Sequence, residues 1–482
     1  MTKQTKVLFA TAEAAPFYKT GGLGDVSLAL PRALHAQGLT VRVVVPFYQQ
    51  RFPAQYQSQL RDLTHFTVQV GVKRAYCGVK TLTLAGIRYY LIDNLDYFGR
   101  PNLYGYWDDG ERYAFFQMAI CEMLERIHDV PDILHLNDWH TAFIPVLLSE
   151  KYYWIEAYQR IRTVLTIHNL QFQGRFDPVI LDSLFRIGIQ TFNEQGIADG
   201  GLVSFLKAGI NFADALTTVS PAYAQEIQTP AYGEGLDATL RAKRGRLWGI
   251  LNGIDTASYD PALAVPYSAA TLDRRRQNRA ALQRTVGLPV RSVPVMAVVS
   301  RLTDQKGMSL LLDALDPVLK AHDVQLVVLG TGAPALEHAF QIYQLAYPTK
   351  VAVKLRFDER LAQQIYGGSD LFLMPSAFEP CGLSQLMAMR YGCLPLVHAV
   401  GGLRDTVVPY NRYTGAGTGF SFEDFRPAVL QRQLTTALQL VQRHPRVWRR
   451  LQRQAMATKM DWQRAAARYG QLYQTLLHGE EE

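Results

Sequence analysis

Only four cysteines occur in 482 residues, and no two of them form a C-x-x-C pair. Cys77, Cys121, Cys381 and Cys393 therefore read as reduced thiols rather than a disulfide framework, and the expected compartment is the cytoplasm. No stretch approaches the ~20 apolar residues of a membrane helix. The first apolar run, Val7 to Ala12, is stopped by Glu13, which excludes it as a signal-peptide core. The net charge of +8 comes without a long Lys/Arg block. The densest basic stretches, Arg274-Arg275-Arg276 and Arg446 to Arg453, read as solvated helix faces. Neither nucleic acid nor a membrane is an expected partner. A Walker loop, a G-x-S-x-G elbow and a zinc-protease box are all missing, as are internal repeats and low-complexity segments.

What is there is a folded chain of two domains. Hydrophobic residues make up 48% and charged residues 19%, and the length exceeds what one ordinary core holds. Strand and helix patterns alternate from the start: Val7 to Ala12, then a helix from Gly24 to Gln37, then Thr40 to Pro46. Apolar runs recur at Ile133 to Leu136, Thr163 to Ile167 and Ala215 to Val219. The segment from Asn252 to about Val290 is less regular and holds Pro261 and Pro266. Alternation resumes with Pro294 to Ser300, a helix from Ser309 to His322, Gln325 to Leu329, a helix near Pro334 to Tyr347, Val351 to Phe357 and Asp370 to Met374. This is the pattern of an α/β protein with two doubly wound parallel sheets. Ligands of such sheets bind at the carboxyl ends of the strands, and the default site is the cleft between two such domains. A last helix, Trp462 to Leu477, carries Ala466, Tyr469, Leu472, Tyr473 and Leu476 at three-to-four spacing. Glu480-Glu481-Glu482 reads as a frayed acidic end.

The most informative segment is Pro375-Ser376-Ala377-Phe378-Glu379-Pro380-Cys381-Gly382-Leu383-Ser384-Gln385-Leu386. An apolar strand precedes it and a helix, Leu383 to Tyr391, follows. Free amides at that helix start favour a phosphate, and Glu379 beside them suits a hydroxyl-rich ligand. Phosphate and hydroxyls together suggest a sugar nucleotide. Ser300-Arg301-Leu302-Thr303-Asp304-Gln305-Lys306-Gly307 follows another strand; Arg301 can fork onto phosphate and Lys306 adds a compact charge. Taken alone it also reads as a solvated loop.

Lys19-Thr20-Gly21-Gly22-Leu23-Gly24-Asp25-Val26 reads either as a tight turn into a helix or as a close backbone approach to a ligand, with Lys19 as its charge. His168, in Thr166-Ile167-His168-Asn169, is a structural histidine or a sugar and proton-transfer group. His135-Leu136-Asn137-Asp138-Trp139-His140 fits no zinc spacing, so no metal is expected and Asp138 reads as a sugar or acceptor contact. Gly330-Thr331-Gly332-Ala333-Pro334-Ala335 formally fits G-x-G-x-x-A. The next strand runs into Arg356, with Asp358 beyond it, not onto a clear acidic ribose contact, so a phosphate- or ribose-facing turn is an equal account.

Together these motifs resemble the bacterial glycogen synthase and plant starch synthase family. The resemblance also covers Phe205-Leu206-Lys207-Ala208-Gly209-Ile210, Thr217 to Pro221, Leu251 to Asp255, and Gly401-Gly402-Leu403 with Asp405-Thr406-Val407. It implies a GT-B fold of two Rossmann-like domains and transfer of glucose from ADP-glucose to the non-reducing end of an α-1,4-glucan. Retention of configuration, no cofactor and no metal are implied with it. The implied domains are residues 1–248 on the acceptor side, 249–458 on the donor side, and a helix at 459–482 returning to the first domain. The implied reaction-centre set is His168, Glu379, Asp138, Arg301 and Lys306. The implied binding set is Lys19, Gly21, Gly22, Asp25, Gly332, Cys381, Gly382, Leu383 and Ser384. Ala377 departs from the family's usual Arg or Lys, Arg279 replaces a frequent Lys, and Thr191 to Val203 matches only loosely. Open alternatives are a retaining transferase with another nucleotide sugar or acceptor, a sugar-nucleotide epimerase, and a non-catalytic glucan-binding homologue. The oligomeric state is not legible.

Overall fold

The computed structural model describes residues 4–479 apart from 194, 195 and 263–265; the expected acidic end at Glu480–Glu482 lies outside the described residues. The chain divides into two compact units, Met1–Asn252 with Trp462–Glu482, and Gly253–Asp461.

In the first unit, runs of Val, Leu and Ile form β1 (Lys6–Ala10), β2 (Thr40–Pro46), β3 (Arg61–Val70), β4 (Lys73–Leu84), β5 (Ile87–Asp93), β6 (Ile133–Asn137) and β7 (Arg162–Ile167). Three short strands, β8 (Arg175–Phe176), β9 (Ala198–Asp199) and β10 (Leu202–Ser204), form a separate small sheet. β11 (Ala215–Thr218) and β12 (Leu247–Gly249) complete the large one. Its order is β12-β11-β7-β6-β1-β2-β5-β4-β3. All neighbours from β12 to β5 are parallel, and β1, β2, β6, β7 and β11 are buried along nearly their whole length, whereas the edge strand β12 is not. The β3–β4 hairpin is antiparallel, which the reading of purely parallel sheets did not anticipate. Toward its carboxyl end β3 buries Phe66, Val68 and Val70 with more exposed residues between them, as befits a hairpin with one covered face.

The helix Gly22–Ala36 buries Val26, Ser27, Leu30, Pro31 and Leu34 along one stripe. The helix Trp462–His478 packs on it and buries Trp462, Ala465, Ala466, Tyr469, Leu472 and Tyr473. Its Tyr473 hydroxyl meets His135 Nδ1 at 2.6 Å, and His135 Nε2 meets Thr166 Oγ1 at 2.6 Å. Thr166 Oγ1 in turn meets Thr217 Oγ1 at 2.6 Å. This buried polar chain runs from the last helix through β6 and β7 to β11.

The second unit is a six-stranded parallel sheet of β13 (Val295–Val299), β14 (Gln325–Leu329), β15 (Val351–Lys354), β16 (Leu371–Met374), β17 (Leu394–His398) and β18 (Phe420–Phe422). Its order is β15-β14-β13-β16-β17-β18, the doubly wound arrangement whose direction reverses between β13 and β16. The stretch read as irregular before β13 contains a helix, Arg275–Val286. Arg275 is not on a solvated face: it is buried, and its Nη2 donates to the carbonyls of Tyr366 and Ser369. Arg446, Arg450 and Arg453 do lie exposed on the helix Pro445–Ala457.

Candidate active site

In each unit the strand order reverses at one place, and most of the expected site residues lie at the carboxyl ends of the strands flanking it, while His168 and Gly332 each follow the next strand out. In the first unit the flanking strands are β1 and β6. The chain leaving β1 carries Glu13 and then turns through Lys19, Thr20 and Gly21 into the helix Gly22–Ala36. Gly21 and Gly22 are exposed. Gly24 is the position where a side chain would not fit, since a Cβ there would lie 2.4 Å from Lys19 Cβ. Lys19 Nζ donates to Asp25 Oδ1 at 2.8 Å.

Glu13, read from the sequence only as the end of an apolar run, organises this turn. Its Oε2 accepts from the amides of Thr20 at 2.7 Å and Gly21 at 3.3 Å. Its Oε1 accepts from the hydroxyls of Thr20 at 2.6 Å and Tyr104 at 2.8 Å. The sequence signal was a carboxylate just past the carboxyl end of a buried strand, where ligands of such sheets bind. A hollow of about 400 Å³ adjoins the turn, with Phe17, Tyr18, Lys19, Arg51, Asn102 and Tyr104 in its wall.

Asp138 follows β6 with φ of +56°, a left-handed conformation that Asp tolerates better than most residues. Its Oδ1 accepts from the His168 amide at 2.7 Å. Burial, with Glu13 adding a smaller repulsion, pushes the Asp138 carboxyl up to about 7. His168 follows β7, and burial pushes its imidazole down to about 3, so it is neutral at pH 7. Its Nε2 lies 2.9 Å from Asn137 Oδ1, while Asn137 Nδ2 donates to the Ala10 carbonyl at 3.0 Å. The second contact orients the Asn137 amide, so His168 Nε2 is the donor and Nδ1 remains an acceptor. His140 packs in an aromatic cage, with ring centroids 4.1 Å from Trp139 and 4.8 Å from Tyr104. Both nitrogens of His135 are taken by hydroxyls, so it does not belong to the site.

In the second unit, β13 and β16 are hydrogen-bonded neighbours, which brings the Ser300–Gly307 and Pro375–Leu383 loops together. Lys306 Nζ donates to Glu379 Oε2 at 2.6 Å, and both side chains are largely buried. Ser376 Oγ donates to the same oxygen at 3.1 Å. Gln305 links the loops further: its carbonyl accepts from the Ala377 amide at 2.9 Å, and its Oε1 accepts from Arg301 Nη2 at 3.2 Å. Arg301 is otherwise exposed. Gly307 has φ of +69°, and a Cβ on it would lie 1.8 Å from the Pro375 carbonyl oxygen.

The expected helix begins at Ser384 with Leu383 as its N-cap, and no side chain caps it. Among the described residues, no acceptor meets the amides of Gly382, Leu383 or Ser384. Cys381 is buried, and the Ser384 side chain meets the Tyr366 hydroxyl. Gly332 lies on the loop after β14, but its amide donates to Glu337 Oε1 at 2.7 Å. Arg279, one of the family departures, pairs with Asp370 at 2.5 Å, and Asp370 Oδ2 accepts from the Val295 amide at 2.9 Å. Arg279 thus braces the starts of β13 and β16, at the ends away from the loops.

Two doubly wound units carrying cations, bare amides and a buried carboxylate at a strand-order reversal fit one class, the GT-B glycosyltransferases, whose fold the chain shares with the solved structures below. Residues 6–242 match the starch synthase catalytic domain family, and residues 283–452 match the glycosyl transferases group 1 family. Glycogen synthase of Lactiplantibacillus plantarum is 67% identical over 477 residues, covering 98% of this chain and 100% of that protein. Glycogen synthase of Streptococcus sanguinis is 52% identical over 477 residues, with coverage of 98% and 100%. The catalytic domain of starch synthase IV from Arabidopsis thaliana, solved bound to ADP and acarbose, superposes with a TM-score of 0.91 at 32% identity, covering 98% of this chain and 99% of that one. Sucrose-phosphate synthase from Thermosynechococcus elongatus shares the fold, with a TM-score of 0.64 at 17% identity and coverage of 99% and 100%. The chain belongs to the glycogen synthase and starch synthase family.

Proposed function

We propose that this chain transfers glucose from ADP-glucose to the non-reducing end of an α-1,4-glucan, with retention of configuration and release of ADP. The observation that carries the reading is the meeting of Lys306 and Glu379 at 2.6 Å beside the unpaired amides of Gly382 to Ser384. Cationic and amide donors suit a leaving diphosphate, and a carboxylate beside them suits sugar hydroxyls. The second unit takes the donor. The first unit, with His168 and Asp138, takes the acceptor and the reaction centre.

In this reading Arg301 and Lys306 neutralise the charge that grows on the diphosphate as the glycosidic bond breaks. The amides of Gly382, Leu383 and Ser384 add fixed donors, and preorganised groups of this kind are worth ~3–4 kcal/mol each in a closed site. Lys19, with the Gly21 and Gly22 backbone, contacts the donor from the first unit. Glu379 accepts from glucose hydroxyls once the diphosphate draws Lys306 away from it. Neutral His168 offers Nδ1 to a sugar hydroxyl. Asp138 Oδ1 is engaged by the His168 amide and Glu379 by Lys306 and Ser376, so neither carboxylate is assigned as a nucleophile. In this reading the acceptor hydroxyl attacks from the face the diphosphate leaves, assisted by the departing phosphate oxygen. The reaction belongs in the cytoplasm, which suits four buried cysteines that form no disulfide.

The test is nucleotide release from ADP-glucose and from UDP-glucose, each with and without glycogen. Release of ADP that requires glycogen, with UDP-glucose the poorer donor, is the expected outcome. Turnover without any acceptor would turn the reading toward an epimerase or hydrolase. A trapped covalent glucosyl–enzyme would contradict same-face attack.

A further inference from the structure

We propose that Glu13 is a positioning residue: it holds the Lys19–Gly22 turn in its working shape and acts on the donor only through that turn. What the turn contacts rests on the reading above; what shapes the turn does not.

Three features place Glu13 in this role. Its own backbone is fixed. The Thr11 hydroxyl donates to the Glu13 carbonyl at 3.0 Å and lies 3.0 Å from Ser27 Oγ, on the helix that the turn opens. Its side chain is buried and fully engaged. An ionised carboxylate offers about four acceptor directions, and here two amides and two hydroxyls take them. That leaves no lone pair for a substrate proton, which separates Glu13 from the groups expected to touch the sugar.

The turn also needs an outside hold. Gly21 is extended, with φ of −159° and ψ of −160°, and no side chain caps the helix that follows. Thr20 and Gly21 therefore rely on Glu13 as the acceptor for their amides. Through Tyr104 the same carboxylate ties the turn to a segment 91 residues further on, which also walls the neighbouring hollow. Lys19 can present its charge at a constant place only if this junction stays in shape.

The chemistry supplies a discriminating pair of variants. Glutamine at position 13 keeps one oxygen for the two amides and turns its NH₂ to the two hydroxyls, which can accept as well as donate. Glu13→Gln therefore preserves the turn while removing the charge, and Glu13→Ala removes both. The measurements are steady-state kinetics with ADP-glucose and glycogen, thermal melting, and amide hydrogen exchange over residues 19–24. For Glu13→Ala, donor KM rises at least about tenfold with a smaller change in kcat, and exchange over 19–24 speeds up at least about tenfold. For Glu13→Gln, both quantities stay within about threefold of wild type.

If Glu13→Gln lost kcat as severely as Glu13→Ala, the carboxylate would be needed for chemistry and the proposal would fall. An unchanged KM and unchanged exchange in Glu13→Ala would overturn it equally. Should Glu13→Ala not fold, Tyr104→Phe carries the test: donor KM rises about threefold at constant kcat, and an unchanged KM sinks the proposal. Hydrogen exchange needs no turnover. A wild-type protein inactive on ADP-glucose would thus count against the proposed donor while leaving the role of Glu13 to be decided by exchange.

Discussion

Lys306 and Glu379 are each other's closest charged partner at the candidate site, and both are largely removed from water. Cutting one of a buried pair leaves the other uncompensated, at a cost of about 3–5 kcal/mol. Lys306→Ala should therefore melt earlier than wild type and lower kcat by roughly two orders of magnitude, because a preorganised charge at the leaving group is gone. Steady-state kinetics beside a thermal melt separates the two losses. Adding Glu379→Ala should recover much of the stability and none of the turnover. The buried imidazoles set a pH dependence of their own. His135, His140 and His168 are each pushed by burial from 6.5 down to about 3, so the unfolded chain binds protons that the fold refuses. Their contribution to stability is present above pH 6.5 and is lost as pH falls from there toward 3. Asp138, pushed up from 3.8 to about 7, works in the opposite sense: its share is present below 3.8 and lost as pH rises through 7. Three imidazoles outweigh one carboxyl, so the melting temperature should fall from pH 6.5 to 4.5. A calorimetric pH series should show a shallower fall in His140→Gln.

Among elements, the junction of the β13 and β16 loops is where backbone geometry is tightest. Gly307 combines a left-handed backbone with a Cβ position already occupied by the Pro375 carbonyl oxygen. Gly307→Ala should push the two loops apart, cost ~1–3 kcal/mol and weaken donor binding more than it lowers the melting temperature. Titration calorimetry with ADP alongside differential scanning calorimetry checks this. Elements built from near-continuous apolar residues were the legible ones: Thr40–Pro46 and Gln325–Leu329 were read to the residue. The helix Arg275–Val286 was legible only at its basic start, where its covered face was misread as solvated, because Arg275, Asn278 and Gln283 share that buried face with Leu282 and Val286 and leave little hydrophobic periodicity to read. The meeting of the Arg301–Lys306 loop with Glu379 was legible because each lies in a short motif just past an apolar strand. Glu13 was passed over as a site residue because its place past a strand end was the one signal for it, and its partner Tyr104 is too distant in sequence for any local spacing to connect them.

For the whole molecule, the path of the chain matters as much as either sheet. It begins in the first unit, builds all of the second between Gly253 and Asp461, and returns with the helix Trp462–His478. That helix does more than cover apolar surface, since Tyr473 supplies the hydrogen bond that satisfies His135 Nδ1. Tyr473→Phe should strand a buried ring nitrogen and destabilise the first unit by about 1–3 kcal/mol, with the second unit unaffected. Urea titration followed by hydrogen exchange in each unit tests this directly.

The returning helix also dictates an order of completion during synthesis. A ribosome finishes the whole of the second unit before it makes the segment that seals the first. Until that segment docks, the first unit has its Gly22–Ala36 helix uncovered on one flank and His135 short of a partner. The interval before docking sets how long that unsealed body is exposed to proteases and chaperones.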